Sequence, residues 1–459
     1  MARRFLFCLA LGLIAVAVPP ASAQVAAPPL VEEVLPALPV SPANANTHAS
    51  PVAWYKGAVY TANVEPSEGP ATGTNLRTVV RKGTRGKDGA WTWAVHVIEP
   101  RTIHDPWHNV PSIAVDRGGF VHVAYNMHNM PWQYAVSERA EDISGFVFRG
   151  EAVTQEQLDL VKFQNRTPFA SPGTGAIPGN GVTYPAFFTD RKGDLYVTYR
   201  YAVRPKKTYA ARAYAAGIAV YDIARRTWSP IGWPVEIGPD DADLAADLKT
   251  ATSYPFAMQD GWWALLPRLW FDRNNGMHVT WVWRKGSAGM DATHPSYAFS
   301  PDRGKAFRRS DGSPYSAPVT PQNADLLVRQ GDDAKFYALT SLASDPAGNM
   351  VALVMPEKKA YTLVRWDAKT RRWSEPVPSP FGASQILIDD DGTQWAFASG
   401  PRILTRAADA APDAPWATVY QETGFCYPKI ARADDERAFI IHAQACDSTK
   451  VRILMFRKR

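Results

Sequence analysis

One pattern recurs down this chain, and it limits the fold more than any other feature. "PSIAVDRGGFVHVAYN" begins at Pro111, "PAFFTDRKGDLYVTYR" at Pro185 and "PRLWFDRNNGMHVTWVWR" at Pro267. Each reads Pro, four residues, Asp, a turn containing Gly or Asn-Gly, then a strand of alternating apolar residues. Weaker copies surround Asp345, Asp390 and Asp434, and "AWYKGAVYTANV" near Lys56 fits as a first copy. Asp and Gly supply the tight turn, and the alternation gives each strand one buried and one outward face. Spacings of roughly 45 to 80 residues leave room for two further strands in each unit. The pattern predicts an all-β chain folded as a seven-bladed β-propeller. A two-sheet sandwich would supply the strands without the repeat. No composition break interrupts residues 50–459, which are expected to form one propeller domain.

Upstream, "MARRFLFCLALGLIAVAVPPASA" has a basic start, an apolar run and an Ala21-Ser22-Ala23 ending. This is the layout of a signal peptide cleaved after Ala23, so a periplasmic or secreted protein is expected. Residues 24–49 are rich in Pro and Ala and read as an extended lead-in. Cys8 leaves with the signal; Cys426 and Cys446 remain, and a disulfide between them is plausible in an oxidising compartment. The net charge of +6 suits an acidic substrate. It shows none of the dense basic stripe of a nucleic-acid binder, and no later stretch reads as a membrane span. "SPDRGKAF", Ser300 to Phe307, matches an Asp-box, a turn found in some propellers. Sialidases carry several such boxes with an Arg-Ile-Pro element near the start, and that element is missing here.

Four of the nine histidines fall between His104 and Asn129. In a propeller blade, residues flanking the inner hairpin lie at the same end, near the axis. Those places hold His108 and His128, then Tyr184 and Arg200, then Arg268 and Arg284 in three successive copies. The reading therefore gathers His, His, Tyr and Arg on one face, with Asn109 beside them. His122 and His278 lie mid-strand and read as structural, and His104 reads as a turn residue. Trp107, Trp132, Trp281 and Trp283 could stack on sugars, but core packing is the commoner fate of such residues.

"DPWHNVPSIAVDRGGFVHVAYNMHNMPWQYAVS" resembles the opening blades of the BNR-repeat polysaccharide lyases, the group with the propeller-fold ulvan lyases and rhamnosyl-glucuronate lyases. "VTYPAFFTDRKGDLYVTYR" and "HVTWVWR" with "SYAFSPDRGKAF" continue the likeness. It implies cleavage of a uronate-containing polysaccharide by β-elimination. His108 and His128 match the paired active-site histidines, Tyr184 the catalytic tyrosine, and Arg200 the arginine that meets the uronate carboxylate. The chain departs from the relatives after Arg284, reading "DATHPSY", where His294 stands near the place of a family histidine.

The chemistry asks for these residue types. Removing the C5 proton of a uronate builds charge beside a carboxylate, and an arginine paired with that carboxylate stabilises it. Arg200 is assigned here, with Arg284 and Arg268 in support. A base and an acid must move protons, and Tyr184 and His108 share these roles, since a nearby guanidinium favours a phenolate. His128 orients one of them or binds sugar. The reading requires no cofactor and leaves a structural divalent metal open, including zinc on the histidines. It expects an acidic polysaccharide as partner, no nucleic acid, no membrane, and a monomer. The alternatives are a glycoside hydrolase such as a rhamnosidase, which would want two flanking carboxylates, and a non-catalytic glycan-binding propeller.

Overall fold

The computed structural model describes residues 30–42, 48–72, 74–102, 108–152, 177, 180–204, 213–237, 251–285, 292–328, 336–356, 361–398, 400, 402–408, 410, 414–433 and 438–458. The expected signal peptide, His104, Trp107 and the turn expected at Asp434 lie outside the described residues. Every named element is a β-strand, and among the described residues no helix is long and apolar enough to cross a membrane.

The Asp of each strong repeat closes its hairpin turn. Asp116 Oδ1 accepts the backbone N–H of Gly118 at 2.8 Å and of Phe120 at 3.0 Å. Asp190 does the same for Lys192 and Asp194, and Asp272 for Asn274 and Gly276. Each carboxylate satisfies two donors that the turn takes out of the ladder. The strand before the turn is the inner one. Val52–Tyr55 touches Ser112–Val115, and the contacts pass on through Asn180–Thr189, Trp262–Phe271, Phe336–Ser344, Ala383–Ile388 and Phe425–Arg432. That last strand returns to Val52–Tyr55 and closes the ring. Outward from these strands the chain runs in antiparallel meanders. The fold is an all-β propeller.

The recurring proline serves the seams between neighbours. Ser112 Oγ donates to the Pro185 carbonyl, and Thr198 Oγ1 to the Pro267 carbonyl, each at 2.6 Å. Proline gives up no ladder donor at an inner-strand bulge, while its carbonyl stays available to the adjoining sheet.

Leu30–Pro39 departs from the expected lead-in. It is a strand, antiparallel to Lys450–Arg457, with Leu30 opposite Arg457 and Pro39 opposite Lys450. The described propeller therefore starts twenty residues earlier than the expected boundary at 50, at Leu30. Val34 is buried against Ile440, Ile453 and Met455. Two prolines are tolerated because this is an outer edge strand. Local sequence hides the element because its partner stands at the other end of the chain.

Cys426 and Cys446 form a disulfide, with Cα atoms 4.7 Å apart. The bond joins Phe425–Arg432 to the end of Ala438–Ala445, its antiparallel neighbour. The sequence separation is 20 residues. Replacing both cysteines by Ala is expected to cost about 3 kcal/mol through the looser unfolded chain. Guanidinium unfolding of oxidised protein and variant checks this, and equal midpoints would refute it.

The Asp-box at Ser300 is a turn of this kind too. Ser300 Oγ donates to Asp302 Oδ1 and accepts the Gly304 N–H, and Asp302 Oδ1 takes the Ala306 N–H. Gly304 has φ +94°, and a Cβ there would collide with Ile231. Phe307 is buried in the core. The motif builds structure, in line with its reading as a fold marker.

His122 and His278 do the same structural work in two blades. His122 Nδ1 lies 2.5 Å from Tyr134 Oη, and Nε2 lies 3.1 Å from Asp116 Oδ2. His278 sits 2.8 Å from Tyr297 Oη and 3.4 Å from Asp272. Burial holds the His122 imidazole below its ordinary pKa, and Asp116 offsets part of that. His122→Ala is expected to cost about 2–4 kcal/mol, from the cavity and the stranded carboxylate. Turnover per folded molecule should stay at the wild-type value; a specific loss of turnover would give His122 a chemical role.

Candidate active site

Residues from two neighbouring blades converge at one end of the ring. His108 stands in the loop that leads into Ser112–Val115. His128 opens the short strand His128–Met130, which leaves its own blade and pairs with Asn180–Thr189 of the next one. The two imidazoles stack face to face, 3.7 Å between centroids and 9° between planes. The Tyr184 ring is 5.5 Å from His108, and the Arg200 guanidinium is 5.1 Å from the Tyr184 ring. The structure thus brings His108, His128, Tyr184 and Arg200 into one cluster. Asn109 is buried next to it, its Nδ2 donating to Asn126 Oδ1 at 3.4 Å.

Tyr184 owes its direction to a bulge. Its φ is +61°, in the left-handed region that a bulky residue rarely occupies. The register breaks between Thr183 and Ala186. Leu266 has φ +57° at the corresponding place before Pro267, so the bulge belongs to the repeat rather than to this blade. What is special in this blade is that the strained position carries a phenol. Strain of this kind persists where the surroundings over-determine it.

Arg200 is buried and held from several sides. Its Nη2 donates to Asn129 Oδ1 and to Thr183 Oγ1, both at 2.8 Å. Thr183 Oγ1 also accepts the Asn129 N–H at 2.9 Å. The guanidinium lies 4.4 Å from the Tyr214 ring and 5.8 Å from Trp263. These described partners are all uncharged. Nε is buried with no hydrogen-bond partner among the described residues. Arg284 also approaches the Trp263 ring, at 4.7 Å.

A profile of the BNR repeat-containing family matches residues 52–379. The chain belongs to that family. No curated protein matches it in sequence. Among solved structures, this BNR-repeat chain is similar to the polysaccharide lyase Uly1, with 13% identity over 90% of each chain and a TM-score of 0.60. It is also similar to a PL25 ulvan lyase solved with bound -[GlcA(1-4)Rha3S]-. That match has 13% identity, covers 93% of this chain and 95% of the other, and has a TM-score of 0.58. At such identity the likeness establishes a shared propeller fold.

The BNR-repeat chain corrects several expected positions: Tyr184 and Arg200 lie within Asn180–Thr189 and Leu195–Arg204 rather than at the outer ends of their hairpin, and Arg268 departs further. Arg268 does not stand at the start of its inner strand. Trp262–Phe271 begins six residues earlier, and Arg268 follows the bulge that starts after Leu265. There it lines an axial cavity of about 710 Å³ together with His48 and Lys429. The repeat's proline marks the bulge inside the strand, not the strand's beginning, and that offset moves Arg268 inward.

Other contributors escape the sequence reading. His48 falls in the supposed lead-in, yet its ring meets Tyr184 edge-on at 5.1 Å. Burial, then the charges of Arg268, Lys429 and His108, hold its imidazole well below the usual range. Asn129 and Thr183 adjoin His128 and Tyr184, so adjacency was their only signal. Tyr214 and Trp263 had none, because they reach Arg200 from a third strand and from the next blade. Trp132, Trp281 and Trp283 are core residues. His294 meets Trp262 at 5.8 Å. Among the described residues no group of three or more His, Cys, Asp or Glu side chains is arranged to hold a metal ion.

Proposed function

We propose that this BNR-repeat protein is an exported polysaccharide lyase that cleaves a uronate-containing glycan of the rhamnose–glucuronate type by β-elimination. The observation that carries the reading is Arg200. It is a buried guanidinium with uncharged described partners and a spare Nε donor, set against a tyrosine and a histidine pair. A cation in that setting calls for an anion, and a uronate carboxylate matches its planar fork. The ulvan lyase with the same fold holds a glucuronate–rhamnose sulfate ligand, and this supports the choice of substrate class.

In the proposed reaction the carboxylate docks on Arg200, with Arg284 beside the same tryptophan. The C5 proton passes to a base, its electron pair forms the C4=C5 bond, and the C4–O bond breaks. The leaving oxygen takes a proton from an acid. Tyr184 and His108 divide these two transfers. His128, stacked on His108, fixes its ring plane. Arg200 matters most as charge builds at C5, because it is positioned before the reaction starts. Arg268 has moved out of this cluster and takes no part in the proposed step. The expected seven blades accord with the closed ring of inner strands, and the disulfide accords with export.

The test is incubation with a panel of acidic and neutral polysaccharides, followed by the ultraviolet absorbance of the conjugated unsaturated uronate. A rise with a glucuronate–rhamnose glycan is the expected result. New reducing ends without that absorbance would make the protein a hydrolase. Binding without turnover across the panel would make it a glycan-binding propeller.

A further inference from the structure

Below the His–Tyr–Arg cluster, the axial cavity collects positive charge from three separate parts of the chain. His48 comes from the segment before the first inner strand, Arg268 from Trp262–Phe271, and Lys429 from Phe425–Arg432. The bulge before Arg268 and the one between Phe425 and Tyr427 re-aim both inner strands just ahead of these residues. His442 backs Lys429 as its cross-strand partner and binds Asn63 through Nε2 at 2.8 Å.

The cavity has one described carboxylate in its lining, Asp190. Asp190 is occupied. Its Oδ1 takes the N–H groups of Lys192 and Asp194, and its Oδ2 takes Asn275 Nδ2 at 2.9 Å with Arg303 at 3.7 Å. The nearby bases feel one another. Burial and then Arg268 push the Lys429 ammonium well below its ordinary value. Burial brings Arg268 down to about 10. Burial and then Lys429 bring His442 to about 3. Gathering like charges in a dry space is unfavourable unless they are discharged or matched.

We propose that the axial cavity is an oxyanion-binding site, in which Arg268 and Lys429 are the charged ligands and His48 is a hydrogen-bonding wall shared with Tyr184. The ligand is a small oxyanion, sulfate or carboxylate in type, delivered either by the solvent or by an acidic group of a glycan. The site is distinct from the Arg200 pocket, and its occupancy does not depend on the protein being a lyase. Bound there, an anion would offset the mutual repulsion of Lys429 and Arg268 beside the His–Tyr–Arg cluster.

Calorimetric titration of the whole protein with sodium sulfate, at low and constant ionic strength, tests the proposal. Saturable binding of one sulfate per chain is expected. Lys429→Met and Arg268→Met, on different strands, should each weaken it by at least about tenfold, the loss of a charge-assisted hydrogen bond. Cooperative melting of each variant shows that it folds. A second titration uses sodium glucuronate. Sulfate binding alone points to a solvent anion, and binding of both, with glucuronate also weakened by Lys429→Met and Arg268→Met, points to an acidic group of a glycan; either supports the site. No saturable heat with either anion, or unchanged affinity in both folded variants, overturns it.

Discussion

Tyr184→Phe is expected to lower turnover on an acidic glycan by about 10²–10⁴-fold, the usual share of a group that transfers a proton. The change removes one hydroxyl and keeps the ring. Phe would hold the edge contact to His48, the approach to His108 and the place beside Arg200. The backbone strain at φ +61° is the same for both residues. Thermal unfolding should therefore stay cooperative, and KM should change little beside kcat. Near-normal turnover in the folded variant would remove Tyr184 from the chemistry and favour glycan binding without catalysis.

Arg200→Lys separates charge from shape. Lysine retains the positive charge but presents a point donor in place of a planar fork. It cannot both satisfy Asn129 Oδ1 and Thr183 Oγ1 and meet a carboxylate edge-on. The expected loss is about 10²–10³ in kcat, comparable to removing one preorganised donor at developing negative charge. Stability should fall as well, by about 1–3 kcal/mol for the buried acceptors left unpaired. Reading kcat on the folded fraction keeps the two effects apart. If KM rises alone and kcat stays, Arg200 binds the ground state only, and charge stabilisation at C5 must come from Arg284 or elsewhere.

Much of the propeller is written locally. An Asp at a fixed distance after Pro, followed by a Gly-containing turn, specifies a hairpin wherever it occurs, because the carboxylate closes the turn on donors two and four residues ahead. Alternation then states which face of the strand is buried. His108, His128, Tyr184 and Arg200 were legible together because each lies before or after the Asp-turn hairpin of its own repeat, at the same end of neighbouring blades. The pairing of Cys426 with Cys446 was legible because the two flank one hairpin.

The tertiary structure decided what depends on partners from distant strands. Leu30–Pro39 becomes a strand only because Lys450–Arg457 offers it an edge. Arg268 faces the axis rather than the cluster because it follows the proline of its bulged inner strand, whereas Tyr184 precedes the proline of its own. His48 reaches Tyr184, and Tyr214 and Trp263 reach Arg200, across seams between blades. Turn closure and alternation are settled within a few residues of chain. Bulges and seams depend on which backbone groups the next blade presents, so the repeat could announce the propeller while its packing chose the neighbours of the His–Tyr–Arg cluster.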